Sequence, residues 1–154
     1  MSAETYKNAP FFVPGETIVL TRNGTWLADG IEITHEPTRR MFATHLQHDA
    51  EGWFIRLGYE AKRITVEDTP YFIHRVDFED GGVTVWLNDE TRERLAPETI
   101  GYRPGRLVCR VKGGSAEARF LQSAYMEMLR GLQEDEREYF LELAGQRVRI
   151  SRKD

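Results

Sequence analysis

The sequence has one cysteine, no long apolar run and no excess of positive charge, and each shortage excludes a class of protein. A single cysteine cannot build an internal disulfide framework or a cysteine-rich zinc module. No apolar run approaches the roughly 18 residues of a membrane helix. With 21 Lys and Arg against 25 Asp and Glu, the formal charge is −4, which argues against a general nucleic-acid binder.

The first residues lack the basic and apolar regions of a secretory signal, so we expect a cytoplasmic protein with no membrane partner. The chain has 154 residues, enough for one domain with a substantial core. Residues 1–16 are polar and contain two prolines, which predicts a loosely ordered lead-in with Phe11, Phe12 and Val13 packing on the body. Residues 17–154 are then expected to form a single domain.

The pattern of apolar residues predicts an α+β fold, mostly antiparallel sheet with two main helices. One helix is expected from a cap at Thr34 to about His48, and the other over 116–132 after a cap at Ser115. Alternation at period two predicts strands elsewhere. In one of them, Phe72, His74, Val76 and Phe78 would share a face. The predicted strands cover 31–33, 53–57, 63–66, 71–78, 83–87, 107–111, 139–143 and 148–150.

Two stretches, 40–66 and 126–150, have the same order of a helix followed by a tight hairpin. The sequence Trp53–Leu57 aligns with Tyr139–Leu143 at an offset of 86, and 63–66 aligns with 147–150 at an offset of 84. This favours a duplicated strand–helix–hairpin motif, with repeated halves at about 17–88 and 106–154. Chance similarity of alternating strands is the alternative. Two abutting halves would leave a groove, a common place for a ligand.

The most distinctive stretch is Ile64-Thr65-Val66-Glu67-Asp68-Thr69-Pro70-Tyr71. Together with Gly52–Gly58, and with Trp26 and 33–35 before the helix, it resembles the bacterial family called domain of unknown function 1285, DUF1285. The resemblance covers about residues 24–150, and the C-terminal half matches only in general pattern. It implies an α+β fold with repeated motifs and a role in ligand sensing or signalling. It implies no catalytic residue.

Glu67 and Asp68 are the first candidates for a ligand-binding site, joined by His74 and Arg56. Tandem acids where a strand ends can contact a ligand or a cation, or one can act as a base. A buried neutral histidine paired with either acid would be a site candidate, although His74 could equally lie at a sheet edge with its ring bonded to a backbone carbonyl. The structural alternative is a turn, with Asp68 bonded to local backbone N–H groups and Pro70 fixing the entry to the next strand.

Other candidate groups have weaker patterns. His45 and His48, with Asp49 next to them, have the spacing of metal ligands on one helix. No further ligand lies near them in the sequence, so we expect no metal. Gly113–Ser115 before a helix could present N–H groups to an anion. Cys109 is expected to be a buried, inert thiol.

The C-terminal strand carries a basic edge made of Arg147, Arg149, Arg152 and Lys153. Its side chains could contact an acidic partner, or they could keep an edge strand from pairing with another sheet. Trp86 alternates against Val85 and Leu87, which predicts that its ring faces away from the core and lines a patch.

These patterns favour a non-enzymatic ligand-sensing or partner-binding module with a role in signalling. No cofactor is expected, and the partner is a small-molecule ligand or a protein, with the chain a monomer or a homodimer. The alternative is a small hydrolase or metal-assisted enzyme that uses Glu67, Asp68 and His74, which requires these groups to converge on a pocket.

Overall fold

The computed structural model describes residues 12–153, and the chain divides into two compact units, Met1–Asp68 and Thr69–Asp154. Most of the predicted lead-in, including Phe11, lies outside the described residues. Phe12 is buried, and the centroid of its ring lies 6.1 Å from that of Phe42. The prediction of packing on the body is therefore confirmed for Phe12 and wrong for Val13, which is 61% exposed.

The first unit contains one described helix and two small sheets. A four-stranded sheet has the order β3-β2-β1-β7, in which β1 and β7 run parallel, and a three-stranded antiparallel sheet has the order β4-β5-β6. Its elements are β1 (Ile18–Leu20), β2 (Trp26–Ala28), β3 (Ile31–Glu32), α1 (Glu36–Thr44), β4 (Leu46–Asp49), β5 (Gly52–Leu57), β6 (Glu60–Arg63) and β7 (Thr65–Val66).

The second unit is built on one nine-stranded sheet. The strand order is β10-β9-β8-β13-β12-β11-β16-β15-β14, with parallel pairs at β8–β13 and β11–β16 and antiparallel pairs elsewhere. Its elements are β8 (Tyr71–Glu79), β9 (Gly82–Leu87), β10 (Arg92–Arg94), a 3₁₀ turn (Pro97–Thr99), β11 (Gly101–Arg103), β12 (Arg106–Val111), β13 (Ala116–Phe120), α2 (Gln122–Leu129), β14 (Leu132–Asp135), β15 (Glu138–Leu143) and β16 (Gln146–Arg152).

The core of this second unit lies between the sheet and α2. Ile73, Val85 and Val108 are fully buried on the strands, while Ala124 and Met128 are buried on the helix. Ala124 and Met128 are four residues apart, so they lie on one face of the helix, as an amphipathic packing requires. The α+β class with two helices and mostly antiparallel sheet is confirmed for residues 12–153.

Both helices are shorter than the sequence predicted. The first begins after His35, which caps it without a side-chain hydrogen bond, and ends at Thr44, so Thr34 is not the cap and 46–49 is a strand. In the second, 116–120 is strand β13 and the helix begins only at Gln122. The acidic segment 134–138 belongs to β14, a turn and the start of β15.

In each unit a helix leads into three antiparallel strands, and the two sets have the same backbone register. Phe54 pairs with Arg63 and with Gln47, while Phe140 pairs with Arg149 and Gln133. Every strand pair in β4-β5-β6 has a counterpart in β14-β15-β16. The starting residues of corresponding elements are 86 positions apart: Glu36 and Gln122, Leu46 and Leu132, Gly52 and Glu138, Glu60 and Gln146.

Over residues 12–153, no helix combines the length and the apolar character needed to cross a bilayer.

Candidate functional site

A basic cleft of about 340 Å³ opens at the C-terminal end of the second unit. Arginines dominate its charge, with Glu138 as the acidic member. The residues that line it are Tyr102, Arg137, Glu138, Tyr139, Arg149, Ile150, Ser151 and Arg152. A ligand in this cleft would therefore meet three guanidinium groups and one carboxylate.

An apolar cleft of about 300 Å³ adjoins the basic cleft, and the two share Tyr102, Tyr139 and Ile150 as walls. The rings of the two tyrosines meet edge to face, with centroids 5.7 Å apart. The other residues that line the apolar cleft are Arg103, Pro104, Gly105, Arg106, Leu107, Tyr125, Leu129 and Leu132. It thus lies between the β11–β12 hairpin and the C-terminal part of α2.

Strand pairing between distant parts of the sequence brings these walls together. Tyr102 on β11 is the parallel partner of Arg152 on β16, and the Lys153 N–H donates to the Tyr102 carbonyl at 2.7 Å. On the other side of β16, Ile150 faces Tyr139 of β15. β16 is paired on its β11 side only at its end, since β11 reaches Ser151 and Arg152 while 146–150 pairs with β15 alone. The edge-strand interpretation is therefore wrong for Arg152, and it stays a prediction for Arg147 and Arg149.

The β14–β15 turn places Arg137 at the basic cleft through an unusual backbone. Glu136 and Arg137 have φ angles of 48° and 74°, the left-handed region that glycine and asparagine normally occupy in two-residue hairpin turns. Non-glycine residues in this region cost about 1–3 kcal/mol each. No ion pair of the Arg137 guanidinium is found among the residues that the structure describes.

Arg147 and Arg149 of the β15–β16 hairpin have exposed carboxylate partners. Arg149 lies 2.9 Å from Glu138, and Arg147 lies 3.4 Å from Asp135. The Arg147 guanidinium also lies over the Phe140 ring, 3.8 Å from its centroid. Exposed pairs of this kind contribute about 0–1 kcal/mol, so the Arg149–Glu138 pair can open for a competing anion at little cost.

Three of the four predicted site residues lie in the first unit, and their shared role stays a prediction. The Glu67 carboxylate accepts the Arg22 N–H at 3.0 Å, and the Glu67 N–H donates to the Leu20 carbonyl. Asp68 follows directly and is half-buried. Arg56 is exposed on β5, with its guanidinium 5.5 Å from the Phe54 ring centroid. The bond from Arg22 supports a local structural role for Glu67.

His74, the fourth, lies on β8 in the second unit and is exposed at a β-bulge. The pairing with β9 shifts there, from Ile73 opposite Leu87 to Arg75 opposite Trp86. The expected common face of Phe72, His74, Val76 and Phe78 is therefore wrong. The extra residue at the bulge puts Val76 and Phe78 on the face of Ile73, opposite to Phe72. Such bulges occur often beside functional sites.

His45, His48 and Asp49 do not share a helix, which corrects the predicted spacing. His45 ends α1 and bonds the Met41 carbonyl through Nδ1, while His48 lies on β4 with its ring 4.6 Å from that of Trp53. The hydrogen bond from Arg63 lowers the pKa of the Asp49 carboxyl to about 2. Within the described range, no group of three or more His, Cys, Asp or Glu side chains is placed to hold a metal ion.

A polar cluster that the sequence did not indicate joins two turns of the second unit. The Lys112 ammonium donates to the Asp89 carboxylate at 2.5 Å and to the Thr91 hydroxyl at 2.9 Å. Lys112 itself has a φ of 58° and precedes Gly113 and Gly114. Those glycines lie in the turn that connects β12 to β13. The expectation that they lead into a helix is therefore wrong. Burial raises the pKa of Asp89, but the bonds from Lys112 and Thr91 outweigh burial and lower it overall.

Trp86 faces away from the core, as its alternation predicted, but its surroundings are charged. Its indole N–H donates to Asp77 at 2.7 Å, and the guanidinium groups of Arg75 and Arg92 lie 5.0 and 5.1 Å from its ring. The ring is therefore covered by arginines and forms no bare apolar patch.

Cys109 is buried, and burial raises the pKa of its thiol to about 12, which keeps it protonated and unreactive.

Sequence reasoning found Arg149 and Arg152 of the basic cleft but missed Tyr102, Tyr139 and Arg137. A usable signal for Arg137 was present in Asp135–Glu138, where a two-residue turn joins β14 to β15. Tyr102 had no such signal, because its place beside β16 depends on a parallel pairing 50 residues away in sequence.

Two solved structures have the same fold as this chain. Both are DUF1285 family proteins. One, from Silicibacter pomeroyi DSS-3, has a TM-score of 0.66 and 16% identity over 84% of this chain and 76% of that protein. The other, from Shewanella baltica OS155, has a TM-score of 0.58 and 17% identity over 75% of this chain and 92% of that protein.

The resemblance to DUF1285 that the sequence indicated is thus matched at the level of fold. At these identities the likeness concerns the fold alone, and the family name states no substrate or reaction. No family model matches the sequence, and no curated protein matches it either.

Proposed function

We propose that the chain is a non-enzymatic ligand-binding module whose site is formed by the basic cleft and the apolar cleft of the second unit. One observation carries this proposal: the two clefts adjoin each other and share Tyr102, Tyr139 and Ile150 as walls. Concave sites with apolar walls and a few convergent polar groups are the usual form of small-molecule sites. In this proposal ligand binding serves sensing or signalling.

The groups that line the clefts favour binding over catalysis. They include arginines, tyrosines and Ser151, but neither a histidine nor a cysteine. The carboxylate among them, Glu138, is paired with Arg149. General acid–base catalysis needs a group that titrates near the working pH within reach of the substrate, and arginine does not titrate there.

We also infer that the two helix-and-three-strand sets are copies of one repeated motif. Their common register at an offset of 86 supports this. By that offset, Arg137 takes the place of Glu51, and Tyr139 takes the place of Trp53. Because the first set forms with Glu51 in its turn, the motif does not require an arginine there. A role in binding accounts for Arg137 better than a structural role.

A thermal-shift screen of the full chain tests the proposal, with organic acids, nucleotides, amines and neutral metabolites as the panel. A ligand at about 100 times its Kd stabilises by about 2.7 kcal/mol, which raises Tm by roughly 5–10 °C for a chain of this size. We expect a hit whose shift is lost in Tyr102→Ala and kept in Tyr59→Ala, since Tyr59 is fully exposed in the first unit.

Tyr102→Ala also removes packing against Tyr139, so a second variant keeps the test decisive. Ser151→Trp adds a bulky ring at an exposed position of the basic cleft without removing any buried group. It should keep the Tm of the unliganded protein and abolish the shift. Hits that persist in both variants, or a panel without any hit, would contradict the proposal.

A further inference from the structure

We propose that the ligand of this site is a small amphipathic anion, with its carboxylate or phosphate head in the basic cleft and its apolar tail in the apolar cleft. This inference rests on the proposed function and adds the chemical class of the ligand. It combines the positive charge of the basic cleft with the apolar lining of the adjoining apolar cleft.

The charge of the basic cleft is opposite to that of the whole chain. Arg137, Arg149 and Arg152 against Glu138 leave a formal excess of two positive charges, whereas the chain carries −4. A cleft lined by one sign of charge concentrates ions of the opposite sign. Arginine also binds carboxylates and phosphates through two parallel hydrogen bonds, which favours an oxyanion head.

The fold accounts for only part of this concentration of arginines. Charged residues on edge strands prevent sheets from pairing, which can apply to Arg149, paired with β15 alone, but not to Arg152, which pairs with Tyr102 of β11. The Arg149–Glu138 pair is exposed on both sides, at 64% and 46% of the side chains, so it contributes little to stability. An anionic ligand can replace Glu138 on Arg149 without leaving a buried charge.

The turn that holds Arg137 adds a second, independent argument. Two consecutive residues with positive φ, neither of them glycine, form a strained turn at the edge of the basic cleft. Strain of this kind persists where the surrounding structure fixes it and is concentrated at binding sites. Arg137 is one of the residues that line the basic cleft.

The apolar cleft supplies a place for the tail. Leu129 and Leu132 line it together with Tyr125, and Leu132 is 44% exposed. Contact with an apolar ligand would remove this leucine surface from water, which favours binding. The cleft volume of about 300 Å³ is at the small end for ligand sites, which suits one short chain or ring.

Four probes with related parts test the assignment by calorimetry on the full chain: octanoate, 1-octanol, octyltrimethylammonium and acetate. Octanoate has both head and tail, and each of the others lacks the anion or the tail. We expect octanoate to bind at least tenfold more tightly than any of the other three, about 1.4 kcal/mol.

Two variants and a matched control locate the head. Arg149→Gln and Arg137→Gln should each weaken octanoate binding by about five- to tenfold. Arg147→Gln should change it less than twofold, because Arg147 lies on the same strand with a similar exposed ion pair but lines neither cleft. All three positions are exposed, so folding should be unaffected.

The outcomes separate this inference from the proposed function. Equal binding of octanoate and 1-octanol, or octanoate binding that ignores both arginine variants, would overturn the anion while leaving the site in place. If no octyl probe binds but the screen gives a hit that Ser151→Trp abolishes, the amphipathic ligand is wrong and the site stands. If the screen gives hits whose thermal shift is unchanged in Ser151→Trp, both the amphipathic ligand and the proposed site are wrong.

Discussion

Asp89 is a single residue whose charge links two turns of the second unit. The residue is 7% exposed, and its carboxylate accepts hydrogen bonds from Lys112 and from the N–H and hydroxyl of Thr91. A buried carboxylate is tolerated when such bonds replace its water. Glu93 belongs to the same cluster, since its carboxylate accepts the Lys112 backbone N–H at 3.1 Å. Removing one side chain of the cluster leaves hydrogen-bonding groups of the others without a partner.

We expect Asp89→Asn to lower the free energy of unfolding by about 1–3 kcal/mol at pH 7. The pKa of Asp89 is lowered in the folded state, so its stabilising effect is complete above the ordinary aspartate value of 3.8 and is lost as the pH falls through the folded-state pKa. The difference between variant and parent should therefore shrink below about pH 4. Urea unfolding across pH measures it.

Asp80→Asn, in the exposed β8–β9 turn, is the control. It should change the free energy of unfolding little, both at pH 7 and below about pH 4. A difference between Asp89→Asn and the parent that stays constant down to pH 3 would show that the Asp89 charge does not matter.

At the scale of elements, the junction between α2 and β14 depends on a close approach at Gly131. A Cβ added there would lie 2.8 Å from the carbonyl oxygen of Glu142 and 2.9 Å from its Cβ. The Glu142 N–H also donates to the Gly131 carbonyl at 3.0 Å. Backbone atoms on a paired strand cannot move aside easily, so this position requires glycine.

Gly131→Ala should therefore destabilise the protein by about 1–3 kcal/mol, measured as the free energy of unfolding in urea. The matched control is Gly82→Ala, where the nearest atoms belong to the flexible end of the Arg94 side chain, at 2.9 Å. Neither glycine has a positive φ. Equal losses in the two variants would mean that the approach of Glu142 is not what selects glycine.

The strained β14–β15 turn should show a conflict between stability and binding. Glu136→Asn and Arg137→Gly each suit a positive φ better than the present residue, so each should raise stability by roughly 1 kcal/mol, or about 2–4 °C in Tm. Only Arg137→Gly removes a guanidinium from the basic cleft and should also weaken octanoate binding. Calorimetry and thermal unfolding of both variants check this, and a gain in binding for Arg137→Gly would contradict it.

Element boundaries show where sequence patterns stop being informative. The segment Ala116–Phe120 has helix-forming residues, yet its small and apolar side chains alternate at period two and pair with β12 and β8. Long-range pairing decides such a segment over intrinsic propensity. The segment Leu46–Asp49 continues the polar character of α1, and only its pairing with β5 makes it a strand. The hairpin turn at 79–82, with its two glycines, was predictable from local chemistry alone.

At the scale of the whole molecule, the candidate site is less predictable than the fold class. The arginines of β16 stand out in the sequence, but the tyrosines gain their meaning from the β11–β16 and β15–β16 pairings. Glu67 and Asp68 attract attention as a tandem pair, while Arg22 contacts Glu67 through a backbone N–H that no pattern marks. Composition and periodicity thus predict the two helices and the antiparallel sheet, whereas the clefts follow from the order of strands.

The most direct measurement is a titration of the full chain with octanoate, followed by NMR of ¹³C-labelled tyrosines. If the two clefts form one site for an amphipathic anion, the ring signals of Tyr102, Tyr125 and Tyr139 shift together and saturate at one Kd, while those of Tyr59 and Tyr71, which line neither cleft, stay in place. Saturable shifts at Tyr59 or Tyr71 with the three cleft tyrosines unchanged would contradict the account.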